Sequence, residues 1–233
     1  MEIKGSVALV TGANRGLGAA FARGLLAAGA TTVYGGARSD YRPTEPGVVP
    51  VRLDITDAAQ VAAAAADLPD VDLVINNAGV YHPTGVLDDG LEAALRADLE
   101  TNLFGTLAVS RAFAPVLAAN GGGALVNILS VTSWRSSALF SAYGASKAAA
   151  LSITNSLRDA LRPNGTLVVA VHAGYLDTDM ATAITTPKTA PGEVVRQVLA
   201  ALRDGEQEVL ADEVSRAVKA ALSGPPRPRA EIA

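Results

Sequence analysis

The chain has no cysteine, which excludes a disulfide framework, a zinc-thiolate site and a thiol nucleophile. Histidine is almost as scarce. His82 sits beside Pro83 in a loop-like stretch and His172 ends a strand-like one, with no second ligand at metal spacing, so each is expected to be structural or solvent-facing and no metal is expected. Charged residues make up only 18% of the chain, the formal net charge is −4, and the basic residues are scattered. That leaves no basic field for a nucleic-acid backbone. No apolar run reaches the ~18 residues of a membrane span without a glycine or a charge interrupting it. The first six residues run straight into a strand-like stretch and lack the regions of a signal peptide. The expectation is a cytoplasmic protein without nucleic-acid or membrane partners.

What is present is a large apolar share, 49% of 233 residues, enough for one folded α/β domain. Residues 7–10 form a short apolar run, and 16–28 read as a helix with Leu17, Ala20, Phe21, Leu25 and Leu26 on its apolar face. Further strands are expected at 31–34, 48–53, 71–75, 124–129, 167–171 and 208–211. Helices are expected at 57–68, 91–119 (one or two), 141–161, 194–203 and 213–222, with Asp57 placed to cap the first of these. Continuous apolar strands alternating with helices point to a parallel sheet covered on both faces, a single doubly wound domain over residues 1–223. The proline-rich stretch 224–233 is expected to be a flexible tail.

Between the first strand and its helix lies Gly12-Ala13-Asn14-Arg15-Gly16-Leu17-Gly18, where backbone N–H groups and the helix dipole are placed to hold a pyrophosphate. At the end of the second strand, where a carboxylate would bind a ribose 2′-hydroxyl, the chain has Ala37-Arg38. A guanidinium suits a 2′-phosphate, and Arg15 is a second cation for it, so NADP is preferred over NAD. Tyr143 and Lys147 stand four apart on one helix face. A cation that close is expected to favour the phenolate and lower the tyrosine's pKa.

With Asn76-Asn77-Ala78-Gly79 after the fourth strand, and Ser130 ahead of Tyr143 and Lys147, the chain resembles the classical short-chain dehydrogenase/reductase family from Val7 to about Ala221. The resemblance implies seven parallel strands in the order 3-2-1-4-5-6-7. It implies that Tyr143 is the general acid or base and that Lys147 tunes it and holds the nicotinamide ribose. Ser130 would polarise the substrate oxygen, and Asn102 would hold a water linking Lys147 to solvent. Around the cofactor it places Gly12, Asn14, Arg15, Gly16, Leu17, Gly18, Arg38, Asp54 at the adenine, Asn77, Ala78 and Gly79 at the ribose, and Gly174 and Thr178 at the nicotinamide. Two departures stand out: Ala173 replaces the usual proline, and Leu129 replaces a serine often found before Ser130.

Trp134, Phe140, Tyr81 and Tyr175 fall near the expected site and are candidates for a substrate pocket. The lid segment, between Met180 and Pro191, is short and rich in small and β-branched residues, without a cationic cluster. A small-molecule ketone, aldehyde or alcohol fits best. The resemblance also implies a homodimer or homotetramer through the long helices. A mainly NAD-dependent alcohol dehydrogenase and a non-catalytic dinucleotide sensor remain alternatives.

Overall fold

A computed structural model describes residues 1–43 and 45–223, so the expected tail at 224–233 lies outside the described residues. Strands β1 (Val7–Thr11), β2 (Thr32–Ala37), β3 (Val48–Arg52), β4 (Leu73–Asn76), β5 (Ala124–Ile128), β6 (Leu167–His172) and β7 (Glu208–Leu210) form one sheet in the order β3-β2-β1-β4-β5-β6-β7. Every pairing is parallel. The chain order reverses between β1 and β4, which opens a crevice at the carboxyl ends of these two strands.

Helix α1 (Gly16–Ala27) and α6 (Pro191–Asp204) cover one face, where Phe21, Leu25, Val194, Val198 and Leu202 close on Val10, Ile75 and Val169. Helix α2 (Ala58–Asp67), α3 (Leu91–Leu99), α4 (Thr106–Ala119) and α5 (Ser141–Leu161) lie on the other, and α7 (Glu213–Ala221) follows β7. On that second face Val109, Phe113 and Leu117 pack against Leu9, Val74 and Leu125. Phe113 is fully buried, and truncating such a ring to alanine costs about 3–5 kcal/mol.

Local chemistry sets the element ends. Asp57 accepts hydrogen bonds from the Ala59 and Gln60 amides, the expected cap. Helix α6 begins at Pro191, earlier than the apolar pattern suggests, because a proline's missing N–H is harmless in the first turn. Strand β2 runs on to Ala37, through Gly35 and Gly36, which break the apolar pattern but are buried.

The stretch 91–119 is helical throughout, with a π-helical segment at Glu100–Gly105 between α3 and α4. By length and composition alone these 29 residues are long and apolar enough to cross a membrane. Within this fold they carry buried Asp98, Asn102 and Ser110 and pack Val109, Phe113 and Leu117 on the sheet. A polar chain crosses the same core: Asn76 Nδ2 donates to Ser110 Oγ and Asn127 Oδ1, and Asn127 Nδ2 donates to Thr154 Oγ1. These bonds tie α4, β4, β5 and α5 together in fixed register.

Candidate active site

The glycine loop is shaped by backbone needs. Gly12 and Gly16 have φ of +67° and +55°, in the left-handed region that L side chains rarely adopt. A Cβ at Gly18 would lie 2.1 Å from the Gly12 carbonyl oxygen, so α1 packs against the loop only with glycine there. No side chain caps the start of α1, and its first-turn amides are therefore available to an anion. The loop backbone, the uncapped helix start and the glycine cradle fit a dinucleotide pyrophosphate.

Thr11 and Asn77 join this loop to the end of β4. The Thr11 hydroxyl accepts from the Asn77 and Ala78 amides at 3.0 Å, and Asn77 Nδ2 donates to the Thr11 and Gly12 carbonyls. Asn77 thus braces the loop from below. Leu17 is buried in the core, which leaves its backbone as the part that faces the loop. Arg38 is exposed, with no hydrogen bond or ion pair among the described residues. Arg15 does not turn toward it. Its guanidinium pairs with Asp179 at 3.1 Å, bridging the glycine loop to the segment after β6. Asp54 Oδ1 accepts from the Thr56 amide and hydroxyl, which orients the carboxylate at the end of β3.

Ser130 follows β5 and caps a short 3-10 turn, Val131–Ser133; its hydroxyl accepts from the Thr132 amide and hydroxyl. Helix α5 brings Tyr143 and Lys147 alongside, with Lys147 Nζ 5.7 Å from the Tyr143 ring centroid. Lys147 is buried and donates to the Ile128 carbonyl at 2.8 Å. A Cβ at Gly79 would stand 3.1 Å from Asn102 Oδ1 and 3.6 Å from Lys147 Nζ, so glycine lets the loop after β4 close over both. Ser130, Tyr143, Lys147 and Asn102 are therefore gathered at one end of the sheet.

The electrostatics depart from the expected lowering of the tyrosine. Burial pushes Tyr143 up to about 12, with the Asp98 charge and Tyr81 adding to the rise and a hydrogen bond with Ser130 opposing it. Lys147 supplies no compensating pull here, because its ammonium is turned to the Ile128 carbonyl and is itself pushed down to about 8 by burial, against an upward pull from Asp98. Tyr143 is densely surrounded and yet keeps part of its surface accessible, an edge through which a substrate oxygen can reach it.

Asn102 is fixed by the loop after β4. Its Oδ1 accepts from the Val80 amide, and its Nδ2 donates to the Val80 carbonyl and to Ser146 Oγ, all at 2.9 Å. The side chain anchors that loop to α5. Tyr81, the next residue, stands edge-on to the Tyr143 ring at 5.5 Å and packs on Phe140 at 5.3 Å, and Phe140 reaches Tyr175 at 6.3 Å. Three of the four candidate aromatics thus form a chain that reaches Tyr143 through Tyr81. Trp134 instead stacks on His172 at 3.7 Å, with Lys219 Nζ 4.8 Å from its ring.

His172 is buried, and its Nδ1 lies 3.1 Å from Ser133 Oγ and 3.3 Å from the Ser130 carbonyl, so it supports the turn that carries Ser130. The turn after β6 is held without proline: Ala173 is buried, and the Gly174 amide donates to Asp212 Oδ2 at 2.6 Å. Thr178 packs over the glycine loop, its methyl 3.3 Å from where a Gly16 Cβ would be. Leu129 is buried and packs with Ala150 and Ala170. The His82–Asp98 contact, 2.7 Å, escaped sequence reasoning. Its signal was an acidic residue one helical turn before Asn102. A concavity of about 560 Å³ lined by Thr132, Ser133, Trp134, Ser136, Gly144 and Ala145 borders this constellation, with Tyr143 itself not in its lining.

The fold and the gathered Ser130, Tyr143 and Lys147 define a nucleotide-dependent oxidoreductase architecture, and comparison with known proteins agrees. Residues 6–189 match the short chain dehydrogenase family, and the chain belongs to it. The galactitol 2-dehydrogenase of Agrobacterium fabrum is 32% identical over 189 residues, covering 76% of this chain and 73% of that protein. The short chain dehydrogenase tazN of Aspergillus terreus is 32% identical over 197 residues; the match spans 77% of this chain and 43% of that longer protein. The crystal structure of a short chain dehydrogenase from Burkholderia cenocepacia J2315 in complex with NADP superposes with a TM-score of 0.92 at 42% identity, covering 96% of this chain and 95% of the other.

Proposed function

We propose that this protein is an NADPH-dependent carbonyl reductase acting on an uncharged ketone or aldehyde, with oxidation of the alcohol as its reverse reaction. The observation that carries the reading is the convergence of Ser130, Tyr143 and Lys147 beside the loop after β4, at the sheet end that also holds the glycine loop. NADPH supplies the hydride when bound. Tyr143, its phenol held up at about 12, stays protonated at neutral pH and gives its proton to the substrate oxygen as that oxygen gains negative charge. Ser130 donates a hydrogen bond to the same oxygen and stabilises the developing charge. Lys147, 5.7 Å from the ring centroid, offsets the phenolate left behind by turning from the Ile128 carbonyl toward it. In the alcohol direction the same phenol must first lose its proton, so burial favours reduction.

Arg38 is free to take a 2′-phosphate, and the NADP complex of the similar B. cenocepacia protein supports that cofactor. The pairing of Arg15 with Asp179 removes the second cation and keeps an NAD-dependent alcohol dehydrogenase as the runner-up. An uncharged substrate is supported by Lys188, which is paired with Asp177 at 3.3 Å, and by the aromatic chain that reaches Tyr143 through Tyr81. Assembly as a dimer or tetramer through the outer sides of α4 and α5 belongs to the same proposal. A ketone panel with NADPH tests it: Tyr143→Phe is expected to abolish turnover while leaving NADPH binding intact. Retained turnover in that variant would refute the role given to the phenol.

A further inference from the structure

Asp98 and Lys147 are the sole acid and the sole Lys or Arg among the buried residues described, and both lie at this site. Among the described residues Lys147 makes no ion pair; its bonded partner is a neutral carbonyl. Asp98, on α3 one turn before Asn102, is fully buried, with Oδ1 2.7 Å from His82 Nδ1 and Oδ2 without a hydrogen-bond partner. Leaving a buried carboxylate oxygen unpaired is costly, and so is a buried ammonium without a counter-charge. The two costs offset each other when the charges share one low-dielectric region.

The contacts join Asp98 to the reacting groups. His82 lies two residues beyond Val80, which Asn102 holds by both backbone groups, and one beyond Tyr81, which stands against Tyr143. A carboxylate only accepts, so the His82 Nδ1–H is the donor, and half of its side chain faces solvent. The titratable groups facing Asp98 are Tyr81 and His82 from this loop and Tyr143 and Lys147 from α5, with Tyr175 acting on Tyr81 from beyond β6. On α3 itself Glu92 and Arg96 pair with each other at the surface. The Asp98 charge pushes Tyr81, Tyr143 and Lys147 upward alike.

We propose that Asp98, held in place by His82, is the buried counter-charge to Lys147, and that this pair of positioning residues sets the alkaline limit of proton delivery by Tyr143. The proposal deepens the reductase reading and rests on Tyr143 and Lys147 serving in it.

The test is a 13C NMR titration of labelled lysine in the full chain without substrate; Lys147 is one of four lysines and is assigned with Lys147→Arg. Asp98→Asn keeps the size of the side chain and removes its charge, and it is expected to lower the Lys147 titration by about one pH unit. The alkaline limb of kcat/KM for ketone reduction should move down with it. His82→Leu, which removes the donor, should reproduce the shift, while His82→Asn, which keeps one, should stay near wild type. If Asp98→Asn does not fold, the two His82 variants carry the comparison. A Lys147 titration unmoved in cooperatively melting Asp98→Asn or His82→Leu overturns the proposal. If Lys147 shifts as expected but no ketone is reduced even by the wild type, the counter-charge stands and the reductase reading falls.

Discussion

Acidification should destabilise this fold through one imidazole. His172 is fully buried at the end of β6, stacked on Trp134 and bonded at Nδ1 to the turn that carries Ser130. Burial, opposed by the Ser130 carbonyl and Glu208, pushes its pKa down from 6.5 to about 4. The folded value lies below the unfolded one, so as pH falls the unfolded chain binds the proton first. Stability from this group is complete above pH 6.5 and is lost between pH 6.5 and about 4. One proton over that window corresponds to about 3 kcal/mol. No discount for solvent applies to a side chain with no exposure.

Carboxylates elsewhere impose an acid dependence of their own, so the quantity to measure is a difference. Urea unfolding of wild type and His172→Asn is followed at steps from pH 7 to 4, with asparagine keeping a donor near Nδ1. The variant should be weaker at pH 7, because the smaller side chain leaves space under Trp134. Wild type should then lose about 3 kcal/mol more than the variant on the way to pH 4, bringing the two curves together. Parallel curves would refute the reasoning, since they would mean that His172 takes up its proton equally in both states.

Arg38→Asp should reverse the cofactor preference, read as kcat/KM for NADPH against NADH, because a carboxylate repels a 2′-phosphate and accepts from a 2′-hydroxyl; an unchanged ratio would remove Arg38 from the site. Asp212→Ala should cost roughly 2 kcal/mol in thermal unfolding, as Asp212 both caps α7 and takes the Gly174 amide. It should also raise the KM for the cofactor, and Asp212→Asn should recover most of both losses.

The layered architecture and the glycine loop were legible because they depend on spacing: apolar runs, glycine offsets and the 141–161 helix follow from period and punctuation. Asp57 was readable as a cap for the same reason. The direction of the Tyr143 shift was not. Residues four apart on a helix share a face, but how deeply that face is desolvated depends on Tyr81 and Asp98, which arrive from other elements. The stacking partners of Trp134 were hidden on similar grounds. Its neighbours, His172 and Lys219, come from β6 and α7, and only tertiary packing turns the indole toward them. Ala173 was readable only as a departure from proline, because the acceptor that holds the next amide, Asp212, lies far along the chain.

The π-helical segment at Glu100–Gly105 makes one long rod behave as two tools. A π turn admits an extra residue, so the azimuth of everything before it is offset from everything after it. Upstream, Asp98 aims its carboxylate at the loop after β4, and Asn102, within the segment, aims its amide there; downstream, Val109, Phe113 and Leu117 aim carbon at the sheet. A regular helix of the same sequence would have to misalign one set to seat the other. The segment therefore works as an indexing joint, fixing the angle between the part of the rod that serves the chemistry and the part anchored in the core.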